Sequence, residues 1–350
     1  MKALSAVLLV VPFFSLPLRA AEVSLSRTNV LQFVANGKVL PIRTVDDWQK
    51  RRLAIREAMQ RVMGPLPGKE KRCPLEVRFE EQTDCGDYVR HWISYASEPS
   101  ARVPAYLLVP KTALAGKARF PAVLALHQTH PLGQKVVVGL GNSTNDEYGV
   151  RLVKRGFVVL APPYPLLADY NPDLKTLGYE SGTMKAIWDN IRAIDLLESL
   201  PYVRTNAFGA IGHSLGGHNG IYTAAFDERI KVVVSSCGFD AFRDYKNGDI
   251  RGWTSTRYMP RLLDYSRETR PFDFAEVIAS LAPRWFFVNA PLGDSNFKWQ
   301  SVDDVCAEAR KVYQLYGASD RVRVEHPDSA HSFPMALQRQ AFELLEQALR

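Results

Sequence analysis

The sequence predicts an α/β protein with a doubly wound, mostly parallel sheet that starts with antiparallel strands. Before Pro121, short strand-like runs follow one another without intervening helices, which favours antiparallel pairing. After Pro121, buried apolar runs alternate with stretches of helical spacing, which is typical of parallel strands covered on both faces. The 350 residues are 46% hydrophobic and 23% charged, an ordinary globular composition that excludes collagenous and disordered chains.

Residues 1–21 have the pattern of a cleavable signal peptide. A basic Lys2 precedes an apolar stretch from 3 to 18, and small residues follow at Ala20 and Ala21. The apolar stretch is too short and too rich in proline for a membrane anchor. We therefore expect a secreted or periplasmic protein without a stable membrane anchor.

Residues 22–120 are expected to hold an N-terminal helix and the first strands of the sheet. Apolar residues at helical spacing predict a helix over 44–62, which the Gly- and Pro-rich residues 64–68 end. Three runs between turn-rich pieces then predict strands at Leu75–Phe79, Tyr88–Tyr95 and Ala105–Val109.

Residues 121–350 are expected to form the core of alternating strands and helices. The predicted strands are Ala122–Leu126, Phe157–Ala161, Ala207–Ile211, Lys231–Ser235, Trp285–Asn289 and Val322–Glu325. The predicted helices are Glu147–Arg155, Thr183–Leu200, Leu215–Phe226, Asp303–Tyr316 and Met335–Leu349. The aromatic-rich residues 239–282 interrupt this alternation. We expect a helical insertion there, over the active site, either as a substrate wall or as a cover for apolar surface.

Charge and cysteine content exclude some classes of partner. The net charge of +7 is spread along the chain with no run of five Lys or Arg, so no nucleic-acid partner is predicted. Of the four cysteines, Cys73 and Cys85 flank a hairpin-like segment and are candidates for a disulfide, although free thiols fit equally well. Cys237 is expected to be a small buried residue. No zinc-type spacing occurs, so no metal site is predicted.

The pentapeptide Gly212-His213-Ser214-Leu215-Gly216 predicts a nucleophile. It follows the apolar run 207–211 and opens a helical stretch, which is the strand–turn–helix setting of the Gly-x-Ser-x-Gly motif. A turn this tight leaves no space for side chains two residues either side of the serine, hence the glycines. Ser214 is therefore the predicted catalytic serine.

A serine needs a base and an acid, which follow it in the order Asp then His when it lies in this motif. His331, between the last strand and the last helix, is the predicted base, with His326 as the competitor. Asp294, after the run 285–289, is the predicted acid, and Asp240, after the preceding strand, is the alternative. Asp303 and Asp304 are expected to be a helix N-cap and a first-turn charge, and Asp328 to shape its loop.

The oxyanion hole is expected to use two backbone N–H groups. Leu215 supplies one at the N-terminus of its helix. The other is expected from the loop after the run 122–126, from Gln128 first and Thr129 second. His127 and His130 in this loop are expected to shape it rather than to act as a base or a metal ligand.

Several stretches resemble the dienelactone hydrolase and acetyl xylan esterase-like branch of the α/β-hydrolases. They are PAVLALHQTH, RGFVVLAPPYP, GAIGHSLGGH, NAPLGDSNF and DSAHSFP, with WQKRRLAIREAMQRVMGPLP and VPAYLLVP upstream. The resemblance covers roughly residues 45–345. It implies the α/β-hydrolase fold, hydrolysis of carboxylic esters without a cofactor, and Ser214, Asp294 and His331 in the triad roles. Acetyl groups on plant polysaccharides such as xylan are one implied substrate.

The chain departs from that resemblance in two places and differs from a neighbouring group in a third. Pro163 stands where many relatives carry an aspartate. Asn296 occupies the usual place of the acid, three residues after a glycine, while Asp294 directly follows Gly293. The related glucuronoyl esterases carry an arginine directly after the serine, whereas this chain has Leu215.

These observations predict an exported serine carboxylesterase that acts on a small-molecule or carbohydrate ester through an acyl-enzyme. The alternatives are an exported serine peptidase, a dienelactone hydrolase-like enzyme and a non-catalytic binding protein on the same scaffold. Serine peptidases of this fold usually carry an N-terminal propeller, for which the residues before Pro121 are too few.

Overall fold

The residues that the sequence predicts for the site all follow strands of one large sheet. The computed structural model describes residues 29–349 except residues 36 and 117, so the predicted signal peptide lies outside the described residues. The strands are β1 Gln32–Ala35, β2 Lys38–Pro41, β3 Arg78–Asp84, β4 Tyr88–Glu98, β5 Ala101–Pro110, β6 Phe120–Leu126, β7 Val158–Ala161, β8 Val203–His213, β9 Ile230–Ser236, β10 Trp285–Asn289 and β11 Val322–Glu325.

The nine-stranded sheet has the order β11-β10-β9-β8-β6-β7-β5-β4-β3, and β1 pairs with β2 as a separate hairpin. Strands β3, β4, β5 and β7 pair antiparallel. From β7 through β6 to β11 the pairing is parallel. The predicted fold class, a mostly parallel sheet with an antiparallel start, is confirmed.

Helices cover both faces of the sheet. They are α1 Val45–Met63, α2 Lys111–Ala115, α3 Tyr148–Lys154, α4 Gly182–Ser199, α5 Leu215–Phe226, α6 Phe274–Ala279, α7 Trp299–Leu315 and α8 Met335–Leu349. Because side chains alternate along a strand, Leu124 of β6 joins the core with α1 and α4–α7, while Val123 and Ala125 join the core with α3 and α8. Within the described ranges, no helix is both long and apolar enough to cross a bilayer.

Several element boundaries differ from the prediction: β5 begins at Ala101 and β8 at Val203, each four residues earlier than expected. The strand expected at 75–79 is wrong: β3 begins at Arg78 and runs to Asp84. All seven of its residues are exposed at the edge of the sheet, so no buried face marks the strand in the sequence. Helix α7 begins at Trp299 after Lys298, so the prediction of an N-cap and first turn at Asp303 and Asp304 is also wrong.

The candidate disulfide is absent, since Cys73 and Cys85 are both free. Cys73 lies before β3, and its carbonyl oxygen accepts a hydrogen bond from Arg192 of α4. Cys85 lies beyond the other end of β3, in the turn to β4. Seven extended residues span about 23 Å, far more than the roughly 4–7 Å that a disulfide allows between Cα atoms.

Residues 239–282 form short 3-10 turns followed by α6, between β9 and β10. Their aromatic side chains pack together and onto α5: the rings of Phe274 and Tyr222 stack with centroids 5.5 Å apart. Trp253 also approaches Phe297, whose ring lies 6.0 Å from that of His331. The segment therefore covers apolar surface of α5 and approaches His331 through the ring of Phe297.

Candidate functional site

Ser214 occupies a strained turn between β8 and α5. Its φ of 52° and ψ of −116° lie in a region that L-residues rarely adopt. Its backbone N–H donates a hydrogen bond of 2.7 Å to the carbonyl oxygen of Ser236, at the end of the neighbouring strand β9. The turn thus holds Ser214 at the carboxyl ends of the parallel strands, where sites of open α/β sheets lie.

The two glycines of the pentapeptide are required by close backbone contacts. A Cβ atom on Gly212 would lie 2.3 Å from the backbone of Gly216, and one on Gly216 would lie 1.9 Å from the carbonyl oxygen of Leu126. Both distances are far inside van der Waals contact. The glycines therefore let the first turn of α5 approach the end of β6, where the predicted oxyanion loop begins.

His331 and Asp294 form a hydrogen-bonded pair. The Nδ1 atom of His331 lies 2.9 and 3.0 Å from the two carboxylate oxygens of Asp294. Because a carboxylate only accepts, Nδ1 carries the proton, and Nε2 is left as the basic nitrogen. The His331 side chain is 26% exposed, whereas that of Asp294 is 2% exposed. The pair therefore presents a reachable imidazole on a buried carboxylate.

The surroundings of Asp294 favour its charged form. Burial opposes ionisation, but the hydrogen bond with His331 and those from the backbone N–H groups of Asn296 (2.7 Å) and Phe297 (3.2 Å) outweigh it. The pKa of Asp294 is consequently lowered. The Asp294 loop is fixed against the His331 loop, since the N–H of Gly293 donates to the carbonyl oxygen of Ser329 at 3.0 Å.

The alternative acid and the alternative base have other partners. Asp240 is fully buried, and one of its oxygens accepts the N–H of Lys298 at 3.1 Å. His326 has its Nδ1 2.8 Å from the carbonyl oxygen of Ala290 and its Nε2 3.0 Å from Asp303. Both of its ring nitrogens therefore face acceptor groups. This geometry favours Asp294 over Asp240 and His331 over His326.

The loop after β6 is shaped by His127. Its Nδ1–H donates to the carbonyl oxygen of Gln128 at 2.7 Å, and its Nε2 accepts the N–H of Tyr164 at 3.0 Å. Burial lowers the pKa of His127 to about 4, which keeps the ring neutral. Because a trans peptide places C=O and N–H on opposite sides, the Gln128 carbonyl turns the N–H of Thr129 away from His127. Gln128 and Thr129 both stay candidates for the oxyanion donor.

The second predicted donor, Leu215, is the first residue of α5. Its N–H has no acceptor within the helix because the first-turn N–H groups of a helix never do. His130 uses its Nδ1 to accept the N–H of Leu132 at 3.1 Å, so it too shapes the loop.

The structure also brings three residues to the site that the sequence analysis missed. His213, Ser236 and Asn289 end the adjacent parallel strands β8, β9 and β10 and are register partners. The His213 ring lies 4.9 Å from the His331 ring, and burial lowers its pKa to about 3. A polar residue closing three successive apolar strands is the signal that could have found them.

One further group lies near the pair. The Cys237 sulfur, a carboxylate oxygen of Asp294 and Nδ1 of His331 all lie within 4.8 Å of one another. Cysteine, carboxylate and imidazole can bind zinc, but a cation there would have to displace the proton that His331 shares with Asp294. Cys237 is buried, as expected, and burial and the Asp294 charge raise the pKa of its thiol.

Comparisons with known proteins agree on one fold. No protein-family model matches the chain. The Bacillus subtilis (strain 168) protein named "Putative hydrolase YtaP" is 25% identical over 308 residues, which cover 84% of this chain and 98% of that protein.

Among solved structures, a glucuronoyl esterase from Solibacter usitatus is similar with a TM-score of 0.74 at 18% identity, covering 93% of this chain and 99% of that one. A Bacteroides fragilis NCTC 9343 protein described as a "putative acetyl xylan esterase" has a TM-score of 0.61 at 18% identity, covering 81% and 76%. At such identities the likeness establishes the fold, which is that of the α/β-hydrolases.

Proposed function

We propose that this α/β-hydrolase-fold protein is a serine carboxylesterase, with Ser214 as nucleophile, His331 as base and Asp294 as acid. The observation that carries the proposal is the His331–Asp294 hydrogen bond next to the strained turn of Ser214. A weak nucleophile, an oriented base and a charged orienting group are the three parts that acyl transfer by serine requires.

The proposed reaction has two steps. His331 Nε2 takes the proton of the Ser214 hydroxyl as its oxygen attacks the ester carbonyl. The carboxylate of Asp294 stabilises the imidazolium that forms. Backbone N–H groups of Leu215 and of the Gln128–Thr129 loop bind the developing oxyanion. His331 then gives the proton to the leaving alcohol. In the second step His331 takes a proton from a water molecule, whose oxygen attacks the acyl-enzyme, and returns that proton to Ser214 as the carboxylic acid leaves.

We further propose that the substrate is a carbohydrate ester and that the protein acts outside the cytoplasm. The first part is supported by the names of the structural relatives, a glucuronoyl esterase and a candidate acetyl xylan esterase. The second is supported by the signal-peptide pattern of residues 1–21. Leu215 offers only its backbone N–H where glucuronoyl esterases carry an arginine, which favours an acetylated sugar over a uronate ester.

The test compares Ser214→Ala with Ser100→Ala, a change at an exposed turn serine. We expect wild type and Ser100→Ala to hydrolyse nitrophenyl acetate and to be labelled by a fluorophosphonate. Ser214→Ala should lose activity by roughly 10⁵-fold or more and remain unlabelled, with unchanged circular dichroism. An active Ser214→Ala would overturn the proposal, and an unlabelled wild type would favour a binding protein.

The substrate class is tested on the wild-type protein. Release of acetate from acetylated xylan, and none of methanol from a methyl glucuronate ester, is the expected result. If methanol is released and acetate is not, the proposed substrate changes from an acetylated sugar to a uronate ester, and the proposed serine mechanism is unaffected.

A further inference from the structure

Asn289 closes β10 at the point where three strand ends meet beside the proposed triad. In the parallel register its Cα partner is Ser236 of β9, and Ser236 is in turn the partner of His213 of β8. Asn289 is fully buried. It thus lies two strands away from the turn of Ser214, with Ser236 between them, and next to the loop that carries His331.

The side-chain nitrogen of Asn289 connects both loops. Nδ2 donates to the Ser236 hydroxyl at 2.7 Å and to the carbonyl oxygen of Ser332 at 2.8 Å. Ser332 directly follows His331. Ser236 in turn contacts the nucleophile turn. Its carbonyl oxygen accepts the N–H of Ser214, and the Ser236 hydroxyl lies 2.9 Å from Nδ1 of His213. One amide group therefore connects the neighbours of the nucleophile with the neighbour of the base.

The side-chain amide of Asn289 is oriented by the two hydrogen bonds that its nitrogen donates. Its Oδ1 has no hydrogen-bond partner among the described residues, although it is buried. A buried acceptor without a partner destabilises a fold, so such groups need a reason. Asparagine is uncharged and carries two N–H groups on one nitrogen. It can therefore donate to a hydroxyl and to a carbonyl oxygen at the same time. The orphaned oxygen is the consequence of aiming both donors at the two loops.

We propose that Asn289 is a positioning residue that holds the turn of Ser214 and the loop of His331 at a fixed separation. This inference rests on the proposed function. Asn289 touches neither substrate nor reacting atoms. It acts because proton transfer from Ser214 to His331 depends steeply on their distance, and a displacement of about 1 Å can reduce the rate by on the order of 10²-fold.

The test uses a matched pair of buried asparagines. Asn190 of α4 is as buried as Asn289 and also donates two hydrogen bonds from Nδ2, to Asn219 at 3.0 Å and to Thr223 at 2.9 Å. Its partners lie on α5, away from the His331 loop. Both Asn289→Ala and Asn190→Ala should lower the melting temperature, because each deletes two buried hydrogen bonds.

Only Asn289→Ala should affect the chemistry. We expect its kcat to fall on the order of 10²-fold with KM within about twofold, and its rate of fluorophosphonate labelling to fall in parallel. Asn190→Ala should keep kcat within about twofold of wild type. Equal kcat losses in the two variants would overturn the inference, and so would a wild-type kcat in Asn289→Ala.

Asn289→Asp keeps the shape of the side chain and serves if the alanine variant does not fold. A neutral carboxylic acid can still donate to Ser332, whereas a carboxylate repels that carbonyl oxygen. The kcat of Asn289→Asp relative to wild type should therefore fall as pH rises, and a ratio of one at every pH would contradict the inference. Ser214→Ala, measured in the same assay, distinguishes failure of this inference from failure of the proposed function. If Ser214→Ala is inactive while Asn289→Ala has wild-type kcat, the inference about Asn289 is wrong and the serine mechanism stands.

Discussion

Two aspartates follow neighbouring parallel strands but have opposite electrostatic surroundings. Asp294, after β10, accepts hydrogen bonds from His331 and from two backbone N–H groups, and its pKa is lowered although burial opposes this. Asp240, after β9, accepts one backbone N–H, that of Lys298, within the part of the chain that the structure describes. Burial first, and then the charges of Asp244 and Asp273, raise the pKa of Asp240 to about 7.

The contrast shows that a position after a strand does not by itself make an aspartate the acid of a triad. The acid has to be ionised at working pH in order to stabilise an imidazolium. Asp294 has the donors that keep it ionised and lies against His331. Asp240 has one oxygen without a partner among the described residues and is held by Lys298 instead.

The largest expected effect separates the two aspartates by catalysis. Asp294→Asn should lower kcat roughly 10⁴-fold, because an amide neither stabilises the imidazolium nor enforces the tautomer with Nδ1 protonated. Asp240→Asn should leave kcat within about threefold of wild type. The measurement is kcat on nitrophenyl acetate for both variants, with circular dichroism as the control for folding. If Asp240→Asn were the inactive variant, the assignment of the acid would have to be exchanged.

The second expected effect separates them by stability. With a folded pKa of about 7 and an unfolded value near 3.9, native Asp240 keeps a proton that the unfolded chain releases. The free energy of unfolding therefore falls as pH rises through this window. Asp240→Asn has no such proton, so it should gain roughly 2–3 kcal/mol on wild type between pH 5 and pH 8.

Denaturant unfolding of wild type and Asp240→Asn at the two pH values measures this gain. Taking the difference between the proteins removes the other titrating groups. A difference that does not change with pH would mean that Asp240 is ionised in the native protein, like Asp294.

The same contrast explains what the sequence could predict. The alternation of apolar strands and helices and the glycines around Ser214 are local patterns, so the fold class and the strained turn could be predicted from them. Which aspartate reaches His331 is not local. It depends on the N–H groups of Asn296 and Phe297 and on how the Asp294 loop pairs with the loop before His331.

One wrong prediction, one open alternative that the structure decides and one missed residue have the same origin. Strand β3 has no buried face, so it lacks the alternation that marks strands. The disulfide between Cys73 and Cys85 looked feasible by spacing, but the extended β3 lies between them. Asn289 was included in a predicted strand, but only the register of three strands shows what its side chain connects.

The smallest expected effect concerns the second His–Asp pair. His326 and Asp303 are 3.0 Å apart, close to the His331–Asp294 distance. However, the other ring nitrogen of His326 is bound to the carbonyl oxygen of Ala290, so neither nitrogen is free to accept a proton from a serine. His326→Gln should therefore keep kcat within about twofold and reduce the free energy of unfolding by about 1 kcal/mol.

His331→Gln is the matched variant for this last comparison and should lose nearly all activity. A polar side chain of similar size replaces the imidazole in both cases, so burial changes little between the two. What differs is whether a basic nitrogen is lost. Among the described residues, Nε2 has no hydrogen-bond partner in His331, whereas in His326 it is bound to Asp303. We therefore expect kcat to depend on His331 alone. A comparable loss of kcat in His326→Gln would contradict the assignment of His331 as the base.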